Sequence, residues 1–264
     1  MSELVQRIDA ARSEQRSALI SYLPVGYPTV QGSIEAMLAT VAGGADIVEV
    51  GVPYSDPGMD GPTIQRAVDV AVRAGVGMGH VLQAVEAVAA SGAIPVVMSY
   101  WNPIERYGVE RFARDLAAAG GAGAITPDLI PDEASEWIAA TDRAALDRVF
   151  LVAPSSTDSR LAMTAAACRG FVYAASTMGV TGTREAVSLV APALVARVRA
   201  VSDLPVAVGL GVSTGDQAAE VARYADAVIV GSAFVRALLD ADDPASGAKA
   251  VWALAAELAE GVRK

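Results

Sequence analysis

Between Ala45 and Pro62 the chain reads ADIVEVGVPYSDPGMDGP, and two carboxylates in it stand where acid–base chemistry would use them. Glu49 lies inside an otherwise apolar run. Alternation along a strand puts Ile47, Glu49 and Gly51 on one face and Val48, Val50 and Val52 on the other. With the valines packed on a helical layer, Glu49 faces an apolar interior. Burial there disfavours the charged form and readies the carboxyl for proton transfer near neutral pH. The other reading of such a glutamate is structural, its oxygens satisfied by backbone or by an arginine. Asp60, between Met59 and Gly61, follows in the next loop. Beside Glu49 it would complete a carboxylate pair able to divide acid and base roles; alone it reads as a turn former. Asp56, in Ser55-Asp56-Pro57, fits a turn better than a catalytic site.

A second signal is distributed glycine. Gly179-Val180-Thr181-Gly182, Gly209-Leu210-Gly211-Val212-Ser213 and Gly231-Ser232 each follow or end a β-rich run. The last of them precedes a short helical pattern, Ala233–Leu238. Bare backbone and a helix N-terminus suit an anion, so together the three clusters suggest a phosphate cradle, although each alone merely turns the chain. Tyr22, Tyr100 and Tyr173 fall in or near strand ends and either line a pocket or fill one. Thr181 belongs either to a closing loop or to a turn. His80 follows Gly77-Met78-Gly79 and reads as a helix cap or surface residue, and Cys168 reads as packing.

These residues need a scaffold that gathers loop ends. Eight β-rich runs recur: Ala18–Leu23, Asp46–Val52, Pro95–Trp101, Ala122–Thr126, Val149–Ala153, Phe171–Ser176, Pro205–Leu210 and Ala227–Gly231. Several are almost continuously apolar, as parallel strands covered on both faces must be. Helical patterns separate them, one capped by Thr29, two near Thr63–Ala74 and Gly79–Ala90, and others at Val109–Ala119, Glu133–Ala140, Arg160–Cys168, Ala191–Ala200, Asp216–Ala222 and Ala245–Leu258. Val5–Arg12 suggests an extra helix ahead of the first strand. Eight β-then-α units in 264 residues predict an α/β fold, a (β/α)₈ barrel, as a single domain over residues 1–264. A doubly wound sheet would place G-x-G-x-x-G after the first strand, where this chain has Pro24-Val25-Gly26-Tyr27-Pro28. In a barrel, chemistry sits at the C-terminal strand ends, where both the carboxylates and the glycine clusters fall.

Composition narrows the chemistry. The chain is 53% hydrophobic and 19% charged, enough apolar material for one large core. One cysteine excludes an internal disulfide or a thiolate cluster, and one histidine excludes a multi-histidine metal site. The only lysines are Lys249 and Lys264, which disfavours a Schiff-base aldolase. A net charge of −10 opposes binding to nucleic acid or anionic membranes. Met1–Arg7 mixes acid and base without an apolar stretch, and the charge-free run Ala87–Ile104 is broken by glycine and prolines. The expectation is a cytoplasmic protein without membrane spans.

The run Glu49-Val50-Gly51-Val52-Pro53-Tyr54-Ser55-Asp56-Pro57, followed by Asp60-Gly61-Pro62-Thr63-Ile64-Gln65, resembles the signature of the tryptophan synthase alpha subunits. Ser99-Tyr100-Trp101-Asn102-Pro103, Asp128-Leu129-Ile130-Pro131, Gly179–Gly182, Gly209–Gly211 and Gly231-Ser232 extend the resemblance in the family's order across nearly the whole chain. It implies a barrel lyase that splits indole-3-glycerol phosphate by a retro-aldol reaction into indole and glyceraldehyde 3-phosphate. It implies no cofactor in this subunit. The implied partner is a pyridoxal-phosphate-dependent beta subunit, in an α₂β₂ assembly through which indole is channelled. By the same resemblance Glu49 matches the acid/base at indole C3 and the glycerol hydroxyl. Asp60 matches the carboxylate facing the indole N–H. Tyr22, Tyr100, Tyr173 and Leu210 match pocket walls, and Thr181 with Gly182 the closing loop. Gly182, Gly211, Gly231 and Ser232 match the phosphate cradle. Asp56, Pro57, Asn102, Asp128 and Pro131 match the side turned to the partner.

Two other readings stay in view. A sugar-phosphate isomerase barrel would place aspartates after its first and fifth strands, where this chain has Leu23-Pro24 and Ala153-Pro154. A non-catalytic subunit that only activates a partner would not need both carboxylates.

Overall fold

The computed structural model describes residues 2–175, 184–209 and 211–264, with backbone alone at 184–189. In chain order the elements begin with α1 (Glu3–Ser13), β1 (Ala18–Pro24), α2 (Val30–Ala42) and β2 (Ile47–Gly51). Then come α3 (Pro62–Arg73), α4 (Met78–Ala90), β3 (Ile94–Met98), α5 (Trp101–Tyr107), α6 (Val109–Ala118) and β4 (Gly123–Ile125). A 3₁₀ turn at Pro131–Glu133 precedes α7 (Ser135–Arg143), β5 (Asp147–Val149), β6 (Leu151–Val152), α8 (Asp158–Ala167) and β7 (Val172–Ala175). The chain ends with α9 (Arg184–Arg199), β8 (Val206–Gly209), α10 (Gly215–Ala222), β9 (Ala227–Val230), α11 (Ser232–Leu239) and α12 (Pro244–Gly261).

All observed pairings are parallel, and the sheet runs β5-β4-β3-β2-β1-β9-β8-β7-β6. Its two edges, β5 and β6, are consecutive pieces of one strand separated by Phe150. This corrects the expected continuous fifth strand, Val149–Ala153. The lower piece pairs with β4 and the upper piece with β7, so the strand changes partner as it climbs the staggered barrel. At the change, the Phe150 N–H turns to the Cys168 sulfur at 3.4 Å, and its carbonyl accepts from Tyr173 N–H at 3.3 Å. The eight-strand barrel expected from the sequence is thus formed, nearly closed.

The third strand is the second correction. The expected run to Trp101 stops at Met98, and Tyr100 instead occupies the position just before α5. Two features redirect the chain: Pro103 sits in the first turn of α5, where proline is tolerated, and Asp128 Oδ1 accepts the Trp101 N–H at 2.9 Å. Other local signals hold. Thr29 caps α2 by accepting the Gly32 N–H at 3.0 Å. His80 caps α4, its Nδ1 accepting the Gly77 N–H at 3.2 Å. The stretch before the last helix supplies Asp243, which caps α12 through the Ser246 N–H at 2.9 Å.

Two apolar layers follow from the alternation. Leu19, Leu23, Val48, Val50 and Val97 face outward and pack with the helices. Ile20, Ile47, Val96, Ile125, Val149, Phe171, Ala207 and Ile229 face inward and fill the lower barrel. Leu4, Ile8 and Ala11 of α1 join this inner cluster and seal it from below. The extra N-terminal helix is therefore the floor of the barrel. A buried ion pair fixes the base of β2: Arg16 holds Asp46 with two bonds of 2.6 and 2.8 Å, and Asp46 also accepts the Leu19 N–H at 2.9 Å.

Candidate active site

The inward face of each strand carries on past the apolar layer into a polar one. Two residues beyond Ile47 stands Glu49, two beyond Ile20 stands Tyr22, and two beyond Phe171 stands Tyr173. Tyr22 and Glu49 are register partners on β1 and β2. Two beyond Ala207 and Ile229 stand Gly209 and Gly231, and their bareness is used by the tyrosines. A Cβ at Gly209 would lie 2.5 Å from the Tyr173 hydroxyl oxygen, one at Gly51 2.7 Å from Tyr22 Cε2, and one at Gly231 3.2 Å from Tyr22 Cδ1. The sequence reading assigned Gly231 to an anion; the structure adds a reason for a glycine there, since the ring of Tyr22 lies against it.

Glu49 is 1% exposed and its Oε1 has no hydrogen-bond partner. Burial alone raises its carboxyl from 4.5 to about 8. The structural reading, a glutamate satisfied by backbone or arginine, leaves that oxygen unexplained. Asp60 is half-buried, and burial raises its carboxyl from 3.8 to about 6, opposed by a hydrogen bond from Tyr100. Both acids act on the same tyrosines. Burial pushes the Tyr22 phenol well up, and the charges of Asp60 and Glu49 push it further; the Tyr173 phenol rises for the same reasons. Glu49, Asp60, Tyr22 and Tyr173 thus lie close enough to feel one another's charge at the C-terminal end of the barrel.

Tyr100 anchors a neighbouring loop. Its hydroxyl accepts the Met59 N–H at 2.9 Å and its ring stacks at 5.5 Å on Tyr54, so it ties the loop carrying Asp60 to the end of β3. The Met59 side chain points outward and is 57% exposed. Nothing periodic in the sequence signals this tie, which joins residues 41 positions apart.

At the opposite side of the mouth, Gly211 has φ +68°, a conformation that favours glycine, and open space where a Cβ would be. Gly231 and Ser232 begin α11, whose first amides lack helical partners by geometry. Gly211, Ser213, Ser232 and Ala233 border an open cavity of about 420 Å³. Thr181, Gly182 and Leu210 lie outside the described residues. Asp56 and Asp128 are exposed and Pro57 half-buried on the loops after β2 and β4, while exposed Asn102 lies in the first turn of α5 and half-buried Pro131 opens the 3₁₀ turn. Each follows the C-terminal end of a strand, and Asp128 is engaged in capping α5. Cys168 is buried, with burial raising its thiol to about 12, in keeping with a packing role.

A family model described as Tryptophan synthase alpha chain matches residues 8–263. The chain belongs to the tryptophan synthase alpha chain family. Curated tryptophan synthase alpha chains from Mycobacterium marinum and Mycobacterium avium are 63% and 62% identical to it, over 100% of this chain and 96% and 95% of theirs. A solved tryptophan synthase of Mycobacterium tuberculosis contains a chain that is 61% identical, with a TM-score of 0.93, over 100% of this chain and 99% of that one. Among the described residues no helix is long and apolar enough to cross a membrane, and no group of three acidic, histidine or cysteine side chains stands ready for a metal ion.

Proposed function

We propose that this chain cleaves indole-3-glycerol phosphate by a retro-aldol step into indole and glyceraldehyde 3-phosphate, in the cytoplasm, during tryptophan biosynthesis. The observation that carries the proposal is Glu49: a buried carboxyl without a partner on one oxygen, held near 8, with a more acidic Asp60 acting on the same Tyr22. The pair divides the work. At neutral pH Glu49 carries a proton and Asp60 is mostly ionised. Glu49 gives its proton to indole C3, and the ring nitrogen becomes cationic. Asp60 faces that N–H and stabilises the charge. Glu49, now a carboxylate, takes the hydroxyl proton of the adjacent glycerol carbon. The C–C bond breaks, its electron pair returns to the ring, and an aldehyde leaves. One proton enters and one departs, so Glu49 ends as it began.

Tyr22, Tyr100, Tyr173 and Leu210 wall the indole. Gly182, Gly211, Gly231 and Ser232 hold the phosphate by backbone N–H groups, which suits a chain of net charge −10. Thr181 closes over the substrate. The chemistry calls for no cofactor in this subunit; pyridoxal phosphate belongs to a beta subunit that receives the indole in an α₂β₂ assembly. Asp56, Pro57, Asn102, Asp128 and Pro131, which follow the C-terminal ends of β2, β3 and β4, are the residues we assign to docking that partner.

The test is indole release from indole-3-glycerol phosphate by the wild type and Glu49→Gln, with and without a cognate beta subunit. Release that rises with the partner and disappears in the variant supports the assignment. No release under either condition overturns it and favours a subunit that only activates its partner.

A further inference from the structure

The cavity beside the start of α11 holds a residue that the family reading leaves without a role. Besides Gly211, Ser213, Ser232 and Ala233 its border includes Arg236, Ala237, Asp240 and Leu254, and among the described residues Arg236 is its one cation. Arg236 stands one helical turn after Ser232. Residues four apart on a helix are stacked neighbours, about 5–6 Å between their Cβ atoms, and side chains lean toward the N-terminus. An extended arginine at this position therefore reaches back along α11 to the open amides at its start. It is exposed and, among the described residues, forms no ion pair, even with Asp240 on the next turn. Arginine four residues ahead of an aspartate is the weaker order for a helical pair.

The surrounding charge gives such a cation work to do. Glu49, Asp56, Asp60 and Asp128 all lie at this end of the barrel, within a chain of net charge −10. A phosphate dianion approaching the mouth meets a repulsive field that backbone dipoles, being short-ranged, do little to offset at a distance. We infer that Arg236 is a substrate-binding residue: its guanidinium attracts and holds the phosphate that the amides of Ser232 and Ala233 cradle. The inference rests on the proposed phosphate-ester substrate, and it adds a side-chain charge to a site otherwise built from backbone. The competing role is purely helical, since Arg236 also lies in the last turn of α11, where a cation complements the carbonyl end.

The experiment compares wild type, Arg236→Met and Arg236→Lys. It uses steady-state cleavage of indole-3-glycerol phosphate, competition by inorganic phosphate, calorimetric titration with inorganic phosphate, and Tm. For Arg236→Met the expected result is a KM raised about 3- to 10-fold with kcat within about twofold, the pattern of a lost binding contact. Phosphate inhibition weakens by a similar factor, and raising salt narrows the gap between wild type and variant. Arg236→Lys recovers most of the loss. An unchanged KM and phosphate affinity in Arg236→Met, with an active wild type, overturns the inference and leaves the lyase reading standing. A fall in Tm alone assigns Arg236 to the helix and likewise overturns it. If the wild type cleaves nothing yet binds phosphate more tightly than Arg236→Met does, the lyase reading falls and the anion site survives.

Discussion

Replacing Glu49 by glutamine should destroy activity and stabilise the fold, and the second effect has a pH dependence that can be worked out. The carboxyl rises from 4.5 to about 8 because it is buried. At about 1.36 kcal/mol per pKa unit, that rise corresponds to about 5 kcal/mol between the two ends of the titration. Below pH 4.5 the group is neutral in both folded and unfolded chains and contributes no penalty of this kind. Between 4.5 and 8 the unfolded chain has released a proton that the folded chain keeps, so stability falls as pH rises. Above 8 both forms are ionised and the full cost is in place. Glutamine has no such titration.

The measurement is Tm for wild type and Glu49→Gln at intervals from pH 5 to 9. The advantage of the variant should grow steadily across this range and level off above about pH 8. With about 2–4 °C per kcal/mol for a chain approaching this size, the growth should be on the order of 10 °C. The absolute difference at one pH includes the cost of burying the amide, but the slope does not. A difference that stays flat from pH 5 to 9 would refute the reasoning, because it would mean that Glu49 ionises in the folded protein as easily as in the unfolded one. The loss of indole release in the same variant would then need another explanation than a missing acid.

Three further outcomes follow from the same geometry. With Asp60 near 6 and Glu49 near 8, kcat/KM for indole release should rise as pH passes about 6, where Asp60 ionises, and fall as it passes about 8, where Glu49 loses its proton; a profile flat between pH 5 and 9 would remove both from the chemistry. Tyr100→Phe deletes the hydroxyl that holds Met59 N–H at 2.9 Å and keeps the Asp60 carboxyl down, so the lower limb should move to higher pH and kcat/KM at pH 7 fall about 3- to 10-fold. Gly51→Ala drives a methyl to 2.7 Å from Tyr22, an overpacking that should cost about 1–3 kcal/mol, visible as a lower Tm together with weaker substrate binding.

The parts of the site that the sequence exposed are those written in local periodicity. Glu49 stands out because a charged residue interrupts a period-two apolar pattern, and the structure turns it inward as that pattern requires. Thr29 and His80 were legible as caps because capping is a matter of three or four neighbouring residues. The barrel itself was legible because eight apolar runs recur with helical spacers. What escaped was set by distant contacts. The end of β3 depends on Asp128, 27 residues away, taking the Trp101 amide. The break at Phe150 depends on where the staggered barrel exchanges one neighbour for another. The tie from Tyr100 to the Asp60 loop crosses 41 residues. Gly209 and Gly231 were read as room for an anion, whereas the structure also spends their space on two tyrosine rings, a use that no spacing rule reveals.

The protonation of Glu49 therefore depends on residues outside the site proposed for the substrate. Burial is the sole cause of its raised carboxyl, and the apolar layer beneath it is sealed by Leu4, Ile8 and Ala11 of α1. Opening that floor should reach the active site through the dielectric rather than through any contact. Ile8→Ala removes a fully buried side chain and should cost about 2–5 kcal/mol of stability. If the vacated space admits water to the barrel interior, the carboxyl becomes easier to ionise, and the falling limb of the pH profile moves below about 8 while the rising limb, set by Asp60 in its loop, stays near 6. A merely destabilised enzyme would lose amplitude with both limbs in place. Unmoved limbs in a folded, active Ile8→Ala would show that the layer of Tyr22 and Tyr173 alone keeps Glu49 dry, and that α1 serves stability without tuning the acid.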